Sequence, residues 1–89
     1  MPWRGREPDH EAEELYRRIA ERVIERRTAL RLSQRELAEL CGTTQSAIAR
    51  LERGARPPRI DTLLTIADAL DCELQVELRP RTRPGGEAQ

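Results

Sequence analysis

The stretch from Ser33 to Gly54, SQRELAELCGTTQSAIARLERG, constrains this chain more than any other, because it holds two short helical patterns with marked beginnings and ends. Ser33 can accept the amide of Glu36 while Glu36 reaches back to the amide of Ser33. Leu32 lies where it can meet Leu37, so a capping box and a hydrophobic staple start a helix at one place. Leu37, Ala38, Leu40 and Cys41 then recur at helical spacing, and Gly42 stands where a left-handed residue closes the helix. After a short turn, Thr44 is a natural N-cap for a second helix from Gln45 to about Arg53, which Gly54 ends.

The second helix has two unlike sides. At about 100° per residue, Ala47, Ile48 and Leu51 fall together, and Gln45, Ser46, Ala49, Arg50 and Arg53 fall opposite them. The opposite face is polar, small and basic. Gln carries the paired donor and acceptor that match adenine, Arg the forked donors that match guanine, and an alanine methyl can meet that of thymine. The pattern is therefore a helix-turn-helix in which Gln45, Ser46, Ala49 and Arg50 are candidates for reading base edges in double-stranded DNA.

The rest of the chain fits that reading. Charged residues make up 36% of the 89 residues and aromatics 2%, with no Phe, so the core must come from Leu, Ile, Val and Ala. A small helical bundle of this size has a modest core, and a second copy would add to it, so a homodimer is expected. No apolar run approaches the roughly 18 residues of a membrane span and no signal-peptide pattern opens the chain, so the expectation is a cytoplasmic protein without a membrane partner. Cys41 and Cys72 lack the paired spacing of a metal or redox motif and are expected to be free, buried or half-buried thiols, with redox sensing the alternative. The net charge is zero, yet residues 31 to 59 carry six Arg against three acids while residues 60 to 89 carry three against six. All basic residues are Arg, which suits bidentate contacts to phosphate and guanine.

Taken in order, residues 1 to 8 (MPWRGREP) read as a flexible arm whose Trp3, Arg4 and Arg6 could enter a minor groove, dock on a protein or do neither. Asp9 can cap a first helix from about His10 to Leu30, with Glu11, Glu13 and Glu14 near its positive end and Arg26 and Arg27 near its negative end. Leu15, Ile19, Val23 and Leu30 form its apolar stripe, and His10 has no companion that would make a metal site. The loop ARPPR, residues 55 to 59, is stiffened by proline. Together with helix starts and turns on the same side, it provides candidate phosphate contacts at Gln34, Arg35, Thr44, Arg53, Arg56 and Arg59. A further helix from about Ile60 to Leu70 presents Leu63, Leu64, Ile66, Ala67 and Leu70 for packing. From Cys72 the period changes to two: Leu74, Val76 and Leu78 alternate with Glu73, Gln75, Glu77 and Arg79, a strand that Pro80 ends. A lone strand needs a partner, and the same strand of a second copy, antiparallel across a twofold axis, is the simplest one. Leu74, Val76 and Leu78 are thus the candidate dimer interface, and residues 80 to 89 read as a disordered tail.

The run from Ser33 to Gly54 resembles the Xre family of regulators, the phage repressor and Cro type. The pattern SQxxLAxxxGxxxxxIxRxExG is matched by Ser33, Gln34, Leu37, Ala38, Gly42, Ile48, Arg50, Glu52 and Gly54, and the similar-looking stretch PRIDTLLTIADAL follows. The resemblance covers about residues 15 to 78. It implies an all-α, lambda-repressor-like domain of four to five helices over residues 9 to 79, ending in a C-terminal dimerisation strand. It also implies a structural ion pair between Arg27 and Glu52. Arg31 departs from the family, which usually closes the first helix there with glycine. The implied function is a dimeric, sequence-specific repressor on an inverted-repeat operator. The small size and terminal strand resemble the HigA and HipB type antitoxins, which implies autoregulation and a cognate toxin as a further partner. The alternatives are a stand-alone Xre regulator and a protein-bridging module without base readout, against which Gln45, Ser46 and Arg50 count. No cofactor, metal site or catalytic constellation is expected, and so no enzyme.

Overall fold

Four helices make up the regular structure of residues 10–82, the part that the computed structural model describes: α1 His10–Ala29, α2 Gln34–Cys41, α3 Gln45–Arg53 and α4 Ile60–Ala69. The expectations for the N-terminal arm, the Asp9 cap and the last seven residues of the tail lie outside the described residues. α1 carries Glu11 and Glu13 in its first turn and Arg26 and Arg27 in its last, the order that its dipole favours. α2 opens with both halves of the capping box: the Glu36 amide donates to Ser33 Oγ at 2.9 Å and the Ser33 amide to Glu36 Oε1 at 2.8 Å. α3 opens with the Ala47 amide on Thr44 Oγ1 at 3.1 Å.

The helix ends follow one scheme with different residues. Gly42, at φ 68°, closes α2, and the Thr43 amide reaches back to the Ala38 carbonyl at 2.9 Å. α1 closes in the same way through Arg31 at φ 61°, its amide on Thr28 O at 2.9 Å and that of Leu32 on Arg27 O at 3.0 Å. α4 does so through Asp71 at φ 56°, with the Cys72 amide on Ala67 O at 2.8 Å. The departure at Arg31 therefore leaves the turn geometry intact: an arginine takes the left-handed conformation that suits glycine, at a cost of about 1 kcal/mol. Gly54, at φ 69°, ends α3 for a second reason besides its dihedral angle. A Cβ there would lie 3.1 Å from Ala20 Cβ and from Arg17 Cα, so the end of α3 sits directly against the backbone of α1.

The core gathers Val23 of α1, Leu37 and Ala38 of α2, Ile48 of α3, and Ile66 with Leu70 at the end of α4, with Leu32, Cys41, Leu51 and Ala69 packed around them. Arg26 Nε donates to the Leu70 carbonyl at 3.1 Å and joins the far ends of α1 and α4. Four leucines expected inside are exposed: Leu15, Leu30, Leu40 and Leu64. Leu40 and Leu64 lie roughly 110° around their helices from the buried faces, too far for the packed neighbour to cover. Leu15 belongs to the first turns of α1 and borders an open groove of about 890 Å³ between α1 and α4 that is also lined by Ile19, Leu63, Leu74 and Val76.

The strand expected over Glu73 to Arg79 is not formed. No strand occurs among the described residues, and 72–82 have no regular structure. The reason is physical, since a strand exists through hydrogen bonds to a neighbour and one chain offers none. Leu74 is half-buried, whereas Val76 and Leu78 stand 73% and 96% exposed, so most of the apolar face meets no protein.

Two substitutions test the helix ends in opposite directions. Arg31→Gly is expected to raise stability by about 0.5–1 kcal/mol through relief of the left-handed backbone. Gly54→Ala is expected to lower it by roughly 2 kcal/mol or more, combining dihedral strain with overpacking against α1. Urea unfolding midpoints at unchanged slope measure both.

Candidate nucleic-acid interface

α3 owes its position to a charged pair at its inner side. Arg27 Nε donates to Glu52 Oε2 at 2.6 Å and Arg27 Nη2 to Glu52 Oε1 at 3.0 Å, a bidentate contact between side chains only 13% and 4% exposed. Two further bonds satisfy the pair. Arg27 Nη1 donates to the Leu32 carbonyl at 2.7 Å, and Gln34 Nε2 donates to Glu52 Oε1 at 2.9 Å. Arg27 and Leu32 thus bond each other twice, since the Leu32 amide also donates to the Arg27 carbonyl. The strained residue Arg31 is held between these two bonds. The network joins the end of α1, the turn after it, the first residue of α2 and the last turn of α3.

With the inner side fixed, the outer side of α3 follows. Ile48 is buried, Ala47, Ala49 and Leu51 are half-buried, and Gln45, Ser46, Arg50 and Arg53 are exposed. Among the described residues no side-chain hydrogen bond or ion pair engages Gln45, Ser46, Arg50, Arg53 or Arg56. Their donors and acceptors are available to an outside ligand. The Ala49 methyl lies among them at the edge of the packed face.

The candidate phosphate residues divide into available and engaged. Arg53 and Arg56 are exposed and unpaired among the described residues. Thr44 accepts from the Ala47 amide and keeps its hydroxyl hydrogen for donation. Arg35 faces Glu39 at 3.9 Å in an exposed pair. Gln34 is half-buried, with its amide nitrogen on Glu52. Arg59 forms a fork with Asp61, Nε to Oδ1 at 3.1 Å and Nη2 to Oδ2 at 2.8 Å, at the start of α4. Asp61, two positions after Arg59, was the signal in the sequence that this arginine had a competing partner. The link from Gln34 to Glu52 carried no such signal, since the two are 18 residues apart.

The thiols differ in setting. Cys41 is half-buried against the core, and burial pushes its thiol pKa up, while Cys72 is exposed with Sγ 3.5 Å from the Leu70 carbonyl. His10 lies 3.8 Å from Glu13 on an exposed helix face, and the described residues hold no group of His, Cys, Asp and Glu suited to a metal ion.

Residues 23–76, which run from the core end of α1 to the extended segment, match the helix-turn-helix family. The chain belongs to that family. The helix-turn-helix chain is 41% identical over 56 residues to the uncharacterized HTH-type transcriptional regulator y4dL of Sinorhizobium fredii, a match covering 63% of this chain and 29% of that protein. It therefore spans under a third of that relative's length. Among solved structures it resembles the restriction-modification controller protein C.AhdI from Aeromonas hydrophila, with a TM-score of 0.67 and 38% identity over 72% of this chain and 93% of that one. A second likeness is to an HTH_3 family transcriptional regulator from Vibrio cholerae, with a TM-score of 0.64 and 30% identity over 68% of this chain and 34% of that one. A third is to the P22 c2 repressor in complex with a synthetic operator, with a TM-score of 0.58 and 33% identity over 62% and 83% of the two chains. No helix among the described residues is long and apolar enough to cross a membrane.

Removing one member of the buried pair strands the other. Arg27→Met and Glu52→Gln are each expected to destabilise the fold by about 3 kcal/mol or more, and the double replacement Arg27→Met/Glu52→Leu by clearly less than the sum. A double-mutant cycle in chemical denaturation measures the difference. A thiol reagent at neutral pH should modify Cys72 well before Cys41, because raising a thiol pKa lowers its thiolate fraction.

Proposed function

We propose that this chain is a DNA-binding transcriptional regulator that reads base edges in the major groove with α3. The observation that carries the reading is the unpaired outer face of α3, with Gln45, Ser46 and Arg50 exposed and free of internal partners while the Arg27–Glu52 network fixes the inner side. A rigid helix presenting unpaired donors is what base readout requires, since the ligand then bears little of the ordering entropy. The likeness to the P22 c2 repressor, solved on an operator, supports the same use of the fold.

Phosphate positioning falls to Arg53, Arg56 and the Thr44 hydroxyl, with Arg35 and Gln34 beside them. Arg59 joins only by exchanging Asp61 for phosphate. Ala49 supplies an apolar contact. The reader is bivalent in this proposal: two copies pair through Leu74, Val76 and Leu78, and their α3 helices meet half-sites of an inverted repeat about one helical turn apart. The relatives' names speak of transcriptional regulation, restriction-modification control and repression. The toxin-binding role implied by the antitoxin resemblance stays an expectation from sequence, and the proposal stops at a regulator.

The test begins with duplexes selected by the full chain from a random DNA pool. Against the selected site and its single-base variants, Arg50→Ala is expected to lose about 1–3 kcal/mol at one base pair of each half-site and to tolerate other bases there. Equal weakening on every sequence would make Arg50 a phosphate contact. Arg56→Ala should weaken binding on all sequences and flatten the logarithmic salt dependence by about 0.9. Failure to enrich any sequence above bulk DNA would overturn base readout altogether.

A further inference from the structure

The open groove beside α1 and α4 ends at a segment with an unusual internal match. Residues 73–79 read Glu-Leu-Gln-Val-Glu-Leu-Arg, with Leu74, Val76 and Leu78 on one side and Glu73, Gln75, Glu77 and Arg79 on the other. In an antiparallel self-pair, like faces meet only when the two opposed residue numbers sum to an even value, so few registers remain. A twofold axis at Gln75 sets Glu73 against Glu77 twice. An axis at Glu77 sets that carboxylate against its own copy. An axis at Leu78 brings Pro80 opposite Val76 inside the ladder, where proline has no donor. An axis at Val76 sets Glu73 against Arg79 twice, Gln75 against Glu77 twice, and Leu74 against Leu78 twice, with Pro80 just beyond the last pair.

We propose that a second copy of this chain occupies the groove, paired antiparallel through residues 73–79 with the twofold axis at Val76. This deepens the dimer reading above and rests on it. Charge complementarity selects the register: it opposes unlike charges at both ends and leaves no like charges opposed. Arg79 already lies 3.0 Å from Glu77 Oε1 on the polar side, so its guanidinium stands on the edge where the other copy's Glu73 arrives. The apolar side completes the argument. Leu74 and Val76 line the groove together with Leu15, Ile19 and Leu63. Directly opposed side chains on one face of an antiparallel pair are about 5 Å apart, so the register carries Leu78 of the other copy to the place beside Leu74. Leu78, 96% exposed in the single chain, is thereby covered, and Val76, 73% exposed, meets its own copy on the axis.

The experiment uses the full chain. Sedimentation equilibrium compares wild type with Glu73→Arg, Arg79→Glu and the double exchange. Each single change opposes two like-charged pairs and is expected to raise the dimer Kd about tenfold, and the double exchange is expected to return it to near the wild-type value. Separately, in a Cys72→Ser background, single cysteines at positions 75, 76, 77 and 78 are oxidised and the products mapped by peptide mass. The expected result is an intermolecular disulfide forming fastest for Val76→Cys, whose two copies share the axis at a distance that a disulfide spans. A wild-type chain that stays monomeric at every concentration overturns the dimer reading and the register with it. A dimer that cross-links fastest at 75, 77 or 78, or whose double exchange fails to recover, overturns the register and leaves the dimer standing.

Discussion

The buried pair of Arg27 and Glu52 is the contact on which the arrangement of this domain turns. Two charges withdrawn from water are a liability unless every donor and acceptor is met, and here the surroundings meet them. Glu52 receives both Arg27 and Gln34, and Arg27 gives its remaining donor to the Leu32 carbonyl. The geometry is directional, unlike that of the aliphatic core. Leu37 and Ile48 can bury their area against several neighbours, but a fork of guanidinium on carboxylate admits one orientation of α3 on α1. Hydrophobic packing makes this chain compact, and the ion pair decides which side of α3 looks outward.

The same network explains how the chain carries two left-handed residues that are not glycine. At Arg31 the strain of a positive φ is balanced by the reciprocal bonds between Arg27 and Leu32 on either side of it. At Asp71 the amides of Asp71 and Cys72 close the end of α4 onto Asp68 and Ala67, and the Arg26 side chain holds the Leu70 carbonyl. Local strain persists where the surroundings over-determine the backbone.

Electrostatics divides the surface in a way that net charge conceals. Arg17, Arg22, Arg27, Arg35, Arg59 and Arg79 each face a carboxylate, whereas Arg50, Arg53 and Arg56 face none among the described residues. A chain with zero net charge can therefore present a local excess of positive charge at one end of α3. The acids that balance the total lie elsewhere, chiefly in the C-terminal third, where they enter the charge pattern of residues 73–79.

The sequence by itself determined the parts of this protein that are governed by neighbours in the chain. The capping box at Ser33 and Glu36, the Thr44 cap, and the stops at Gly42 and Gly54 were legible because each involves residues within five positions of one another. The outward set of Gln45, Ser46, Arg50 and Arg53 followed from helical period alone. Only the tertiary structure decided matters that depend on distant partners. It left Leu40 and Leu64 exposed, because the width of a buried face is set by the helix packed on it and not by the hydrophobicity of the residue. It placed Gln34 on Glu52, and it brought α1 so close to Gly54 that no side chain fits there. The segment 73–79 marks the boundary between the two kinds of knowledge. Its alternation is written in the sequence, but a strand requires hydrogen bonds from a second backbone, and a single folded chain does not supply one.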